Sequence, residues 1–218
     1  MTTTPPPLLP LTLAERELAP DVLRVSASFD EYLDFAEVCP YNVEYISGEI
    51  ISMSQASLPH ESLVSRLNYL LVGLYDDDET MQVFSSNIKI FIDTTGDSVN
   101  ADVSVVRGKP DYLTLPSGNI STASVKNPVL LVEVLSKSTL AFDLGGSTPG
   151  EKLELYKQIS TLQQVLFVSQ DKPRVMSYVR TDTPNVWLNT SAHDLTESIA
   201  VLDNDVLLSS IYRKFLFA

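Results

Sequence analysis

Apolar residues fall into three patterns along this chain, and each predicts a different element. Residues 129–135 read VLLVEVL, apolar at every position but Glu133. Such a run suits a strand buried on both faces. Within residues 58–76, Leu63, Leu67, Leu70, Leu71 and Leu74 recur at helical spacing, with Ser57 placed as a cap and Pro59 in the first turn. Residues 41–53, YNVEYISGEIISM, read as two β-rich arms about Ser47-Gly48, a hairpin with a tight turn.

The remaining elements follow from the same rules. Ser28 and Glu31 have capping-box spacing at the head of FDEYLDFAEVC, which predicts a short helix ending before Pro40. Strands are expected over 81–93, 101–106, 163–169, 174–180, 186–190 and 195–202. Helices are expected over 150–159 and within the terminal VLLSSIYRKFLFA. Residues 94–98 read as a turn and 108–126 as a polar loop. The Pro- and Thr-rich residues 1–24 read as an arm, loose or partly packed, ahead of one domain at 25–218. The central order is helix, strand, strand, strand, helix, strand, with a hairpin before it and further strands after it. That order describes an α/β or α+β mixed sheet with helices packed against it.

Composition narrows the setting. With 218 residues, 44% hydrophobic and 20% charged, the chain can bury one sizeable core. No apolar run approaches the length of about 20 residues that spans a bilayer, and the N-terminus does not read as a signal peptide. Cys39 is the only cysteine, which excludes an internal disulfide and a cysteine-based zinc site and fits a cytoplasmic, reducing location. The formal net charge is -13, which argues against general affinity for nucleic acid, since that rests on Lys and Arg neutralising phosphates.

Glu133 is the position that demands chemistry. An unpaired carboxylate inside an apolar strand costs several kcal/mol, roughly, unless it is protonated, paired or bound to a metal. Two partners are available. Asp102, in a short strand upstream, would repel Glu133 unless a cation sits between them, and Mg²⁺ prefers oxygen ligands of this kind. Lys152, near the start of the following helix, can reach back across the strand end, either as a plain salt bridge or as a group that orients water beside a phosphate. Taken alone, Glu44 reads as a solvent-facing strand residue and His60 as a surface or capping histidine. The run Asp76-Asp77-Asp78-Glu79 reads as a solvated helix end.

Together these residues resemble a known family. YNVEYISGEIISM, His60 opening a helix, ADVSVV, NPVLLVEVLSKST…D…GEKLELY, LFVSQDKPRVMSYVR and the terminal IYRKF are similar to the Uma-type endonuclease family, a branch of the PD-(D/E)XK restriction-endonuclease-like superfamily. The resemblance runs from about Phe29 to Phe217 and implies a restriction-endonuclease-like core. It implies a Mg²⁺- or Mn²⁺-dependent nuclease in which Asp102, Glu133 and Lys152 are catalytic and Asp102, Glu133 and Glu44 bind metal. His60, Lys137 and Tyr156 are the candidates for substrate contact. Nucleic acid is the implied substrate, DNA ahead of RNA, and a homodimer is the implied assembly.

The departures from the family pattern are specific. Ala101 stands where the PD pair has proline, and Leu135 stands at the usual lysine position. Lys152 is the first candidate for that gap and Lys137, on the Glu133 face by alternation, the second; with neither in place the catalytic reading weakens. The connection between Asp143 and Lys152 is longer than usual. The nuclease reading expects several of Arg107, Lys109, Lys126, Lys137, Lys157, Arg174 and Arg180 around the cleft. The alternatives are a catalytically idle binding or assembly module and a hydrolase of a smaller phosphoester.

Overall fold

The computed structural model describes residues 9–135 and 151–217. Lys137 and Asp143 lie outside them. The chain opens with α1 (Leu13–Glu17), β1 (Val22–Ser26) and α2 (Phe29–Val38), then the hairpin β2 (Val43–Ile46) and β3 (Glu49–Met53), then α3 (Leu58–Leu74). Seven strands follow: β4 (Met81–Ser85), β5 (Lys89–Ile92), β6 (Asp97–Asn100), β7 (Val103–Arg107), β8 (Tyr112–Thr114), β9 (Ile120–Val125) and β10 (Pro128–Leu135). After α4 (Glu151–Lys157) come β11 (Gln164–Ser169), β12 (Val175–Arg180), β13 (Trp187–Ala192), β14 (Ser198–Val201), β15 (Asn204–Leu207) and α5 (Leu208–Ile211).

The strands form two larger sheets and a small hairpin. One sheet has the order β13-β12-β11-β10-β7-β4, the other β1-β3-β2-β6-β5-β9-β8, and β14 pairs with β15. In the first sheet β10 runs parallel to β11 and antiparallel to β7. The sequence α3, β4, β7, β10, α4, β11 is the expected helix-strand-strand-strand-helix-strand core of a mixed α/β fold. The other sheet is built from its insertions and from the N-terminal hairpin.

β10 lies buried along its whole length, as its unbroken apolar run requires. Leu130, Val132 and Val134 join the core beneath α3, with Leu63, Leu67 and Leu71 of that helix. Leu131 and Leu135 join the core shared with the other sheet and α4, against Ile46, Ile90 and Tyr156. Strict alternation therefore puts Glu133 on the side where the two sheets and α4 meet. A third cluster, with Tyr32, Val43 and Ile50, packs α2 against the N-terminal hairpin.

Several expectations are revised. The segment read as an arm, loose or partly packed, is packed from Leu9 onward: β1 pairs with β3, and Arg16 is 1% exposed. Arg16 donates to the Ser52 hydroxyl at 2.6 Å and to the Pro20, Asp21 and Ser52 carbonyls at 2.8, 2.7 and 3.0 Å. No periodicity reveals such a latch, because its acceptors are mostly backbone. Residues 81–93 are two strands in different sheets, β4 and β5. The supposed turn at 94–98 runs into β6, and the supposed loop at 108–126 contains the pair β8 and β9. β8 and β9 are half-exposed and β6 is short and mostly polar in sequence, so none shows the apolar alternation that marks a strand. The turn between β2 and β3 is as expected: Ser47 and Gly48 have φ of 53° and 82°, the paired positive values of a tight hairpin turn. No helix among the described residues is long and apolar enough to cross a membrane.

Candidate active site

The carboxylate of Glu133 is answered from α4. The Lys152 ammonium lies 2.9 Å from Glu133 Oε1 and 3.1 Å from Glu44 Oε1, and it donates to the Asn100 carbonyl at 2.6 Å. Glu44, Glu133 and Lys152 are 6%, 4% and 4% exposed, so the cluster is a buried ion triad. One turn along α4, the Tyr156 hydroxyl donates to Glu133 Oε1. Burial first, then the Glu133 charge, raises the Tyr156 pKa well above its ordinary value, so Tyr156 is a neutral donor. Glu44 also accepts from the Asn100 N–H at 2.8 Å. The bland reading of Glu44 as solvent-facing is thereby corrected. The hairpin carrying it is covered by the strand insertions, which its own alternation could not foretell.

Asp102 belongs to the same site but is held from the other side. The register Val132↔Val103 sets Asp102, one residue before β7, across from Glu133. Its Oδ2 accepts the Val134 N–H at 2.7 Å and lies 3.3 Å from His60 Nε2. His60 sits in the first turn of α3, where Ser57 caps the helix by accepting the His60 N–H at 3.3 Å. Burial of the imidazole acts to lower its pKa. The hydrogen bond and charge of Asp102, with Glu61, outweigh that, and the net direction is upward. His60 is thus more than a surface histidine.

Both carboxylates open onto one cavity of about 790 Å³, which Glu44, His60, Asn100 and Lys152 also line. The arrangement brings together Asp102, Glu133, Lys152, Glu44, His60 and Tyr156. Asn100 is the participant that sequence reasoning missed. It contributes mainly main-chain groups, which residue type does not advertise.

The electrostatics of the cavity depart from expectation. Among the described residues its charged lining consists of Asp21, Glu44, Glu61, Asp102, Glu133 and Asp171 against Lys152. None of Arg107, Lys109, Lys126, Lys157, Arg174 and Arg180 lines it. Four of them are engaged elsewhere: Lys126 with Asp93 and Asp111, Arg107 with Asp203, Lys157 with Glu154, and Arg180 over the Trp187 ring. The anticipated basic rim is therefore not found among the described residues.

The donor set can be tested against a hard divalent cation. Glu44 Oε2 and Asn100 Oδ1 are buried oxygens with no hydrogen-bond partner among the described residues. No three His, Cys, Asp or Glu groups among the described residues gather as tightly as a metal shell. Mg²⁺ does not need three, since it binds through one or two carboxylates and keeps several waters. Asp102 and Glu133 fit that role. Glu44 fits it through its unpartnered oxygen, its other oxygen being held by Lys152 and Asn100.

Comparison with known proteins bears on this geometry. The family model "Uma2: Putative restriction endonuclease" matches residues 29–204. Two proteins of Synechocystis sp., both named as uncharacterized, are similar to the chain. The protein slr1290 is 32% identical over 190 residues, covering 86% of this chain and 92% of its own length. The protein sll1609 is 32% identical over 148 residues, covering 68% and 77%. A crystal structure from Anabaena variabilis, titled a "putative nuclease belonging to DUF820", superposes with a TM-score of 0.63 at 16% identity over 86% of this chain and 98% of that one. At that identity the likeness speaks for the fold.

Proposed function

The chain belongs to the Uma2 family, and from that premise and the geometry of the cavity we propose that it is a nuclease that hydrolyses phosphodiester bonds of nucleic acid, DNA ahead of RNA, with Mg²⁺ or Mn²⁺. The observation that carries this reading is the Lys152 ammonium, held by Glu133 and Glu44 at 2.9 and 3.1 Å in the cavity that Asp102 also lines.

Asp102 and Glu133 would hold the ion, with Glu44 beside them. When bound, such an ion polarises a phosphoryl oxygen and lowers the pKa of a bound water. The chain's own groups do the rest. Lys152 fills the lysine role that Leu135 cannot, placing a cation where negative charge builds on phosphorus. Tyr156 and the Asn100 carbonyl fix the ammonium and the Glu133 carboxylate in one orientation. His60, bonded to Asp102, stands at the cavity wall for substrate contact.

Calorimetric titration of Mg²⁺ and Mn²⁺ into the wild type and Glu133→Gln tests the reading, followed by hydrolysis assays on nucleic acids. The expected result is metal binding and cleavage by the wild type and loss of both in the variant. A wild type that binds no metal overturns it. The acidic lining supports a second reading: a site without turnover that serves binding or assembly, or hydrolysis of a smaller phosphoester that needs no basic groove.

A further inference from the structure

The cavity has two unlike walls. One carries Asp102, Glu133, Lys152 and His60; another sets Leu13, Pro40, Tyr41 and Met53 among the polar Asp21, Asn42, Ser54 and Gln55. Part of this second wall comes from residues that precede the family match, which begins at residue 29. Leu13 belongs to α1, which the buried Arg16 latches to β3 through Ser52. Tyr41 is fixed to the same segment, its hydroxyl donating to the Pro10 carbonyl. The Tyr41 ring is therefore held in place before any ligand arrives. Leu13 is 44% exposed, an apolar side chain left at the edge of a polar cavity.

A duplex is gripped chiefly through phosphates by Lys and Arg, and among the described residues this cavity offers only Lys152, already engaged by two carboxylates. Its volume of about 790 Å³ is that of a small-molecule pocket and leaves room for a nucleotide. A fixed aromatic and apolar wall recognises unpaired bases, because every base presents a π-face and stacking tolerates sequence. Resting on the nuclease reading above, we propose that the substrate is single-stranded or locally unpaired nucleic acid, entering base-first against Tyr41, Leu13 and Met53, with the phosphodiester directed to Lys152 and Glu133. The latched N-terminal segment is then part of the substrate site.

The test is fluorescence anisotropy with labelled oligonucleotides of one sequence, single-stranded and duplex, on the full chain. Ca²⁺ replaces Mg²⁺ for binding, being another ion that takes oxygen ligands. Cleavage with Mg²⁺ is measured in parallel. Single strands are expected to bind at least about tenfold tighter than duplex, and Tyr41→Ala to weaken single-strand binding about tenfold, the usual effect of losing one stacked base. Tyr41→Phe keeps the ring and retains the binding. Leu13→Ala, at an exposed position, weakens it without threatening the fold. Equal or tighter binding of duplex overturns the proposal, as does unchanged binding by both Tyr41→Ala and Leu13→Ala. The two readings fail differently. Single-strand binding without cleavage supports this proposal and overturns the nuclease reading, whereas cleavage with duplex preference overturns this proposal alone. Absence of binding to either strand form overturns it as well.

Discussion

Lys152 carries the charge balance of the site. Removing it leaves Glu44 and Glu133 buried against each other without their shared cation. Breaking a buried pair from one side costs about 3–5 kcal/mol, so Lys152→Met is expected to lower unfolding stability by that order in urea titrations. Glu133→Gln should cost less, because Lys152 keeps Glu44 and the Asn100 carbonyl. Equal losses in the two variants would contradict this account. His60 supplies the pH dependence. Its folded pKa is raised above the 6.5 of a free imidazole by Asp102 and Glu61, against the larger single effect of burial. A group raised in this sense stabilises the fold fully below pH 6.5, and the contribution is lost as pH rises through the folded pKa. Wild type minus His60→Gln stability, measured across that range with divalent cations chelated, is expected to fall with rising pH. A flat difference would show that the Asp102 contact carries no charge.

At the scale of elements, α1 and the hairpin of β2 and β3 act together. Arg16 is buried with no carboxylate partner among the described residues, its charge spread over three carbonyls and the Ser52 hydroxyl. Arg16→Ala removes four hydrogen bonds, and the expected signature is local: hydrogen exchange accelerates in α1 and β1 while β10 and β11 keep their protection. Uniform acceleration would mean that the latch supports the whole fold rather than its edge. The hairpin turn is tied in by the Asp97 carboxylate, which accepts the Ser47 N–H at 2.7 Å. Gly48→Ala, at φ 82°, is expected to destabilise by about 1 kcal/mol and to loosen the Glu44 strand.

At the scale of the whole molecule, the C-terminal residues close the chain's own core. Ile211 is buried, Phe215 and Phe217 pack against the cluster beneath α3, and Tyr212 contacts both rings. Only Leu216, 87% exposed, is left uncovered in that group. Phe215→Ala is therefore expected to lower stability by about 1–3 kcal/mol with a midpoint independent of protein concentration. A concentration-dependent midpoint in the wild type, lost in the variant, would instead make this segment a subunit interface. Among the described residues the charged lining of the cavity is acidic but for Lys152, so affinity for nucleic acid should depend on divalent cations and only weakly on monovalent salt.

The central core was legible in the sequence because local patterns carry it. An apolar run buried on both faces, a leucine stripe at helical spacing and a Ser-Gly turn each have one physical reading, and β10, α3 and the β2–β3 hairpin follow from them. The residue types of the site were legible for the same reason: a carboxylate at position 133 within β10 requires a partner, and Asp102 and Lys152 were near enough in the chain to be named. Tertiary structure alone decided the rest. Whether Glu44 faces water or Lys152 depends on which sheet the β5, β6, β8 and β9 insertions build. Whether lysines and arginines rim the cavity depends on which acidic residues meet them first elsewhere. The Arg16 latch and the contribution of Asn100 act through main-chain groups that every residue shares. No residue type signals them, and only the folded path of the backbone brings them to the site.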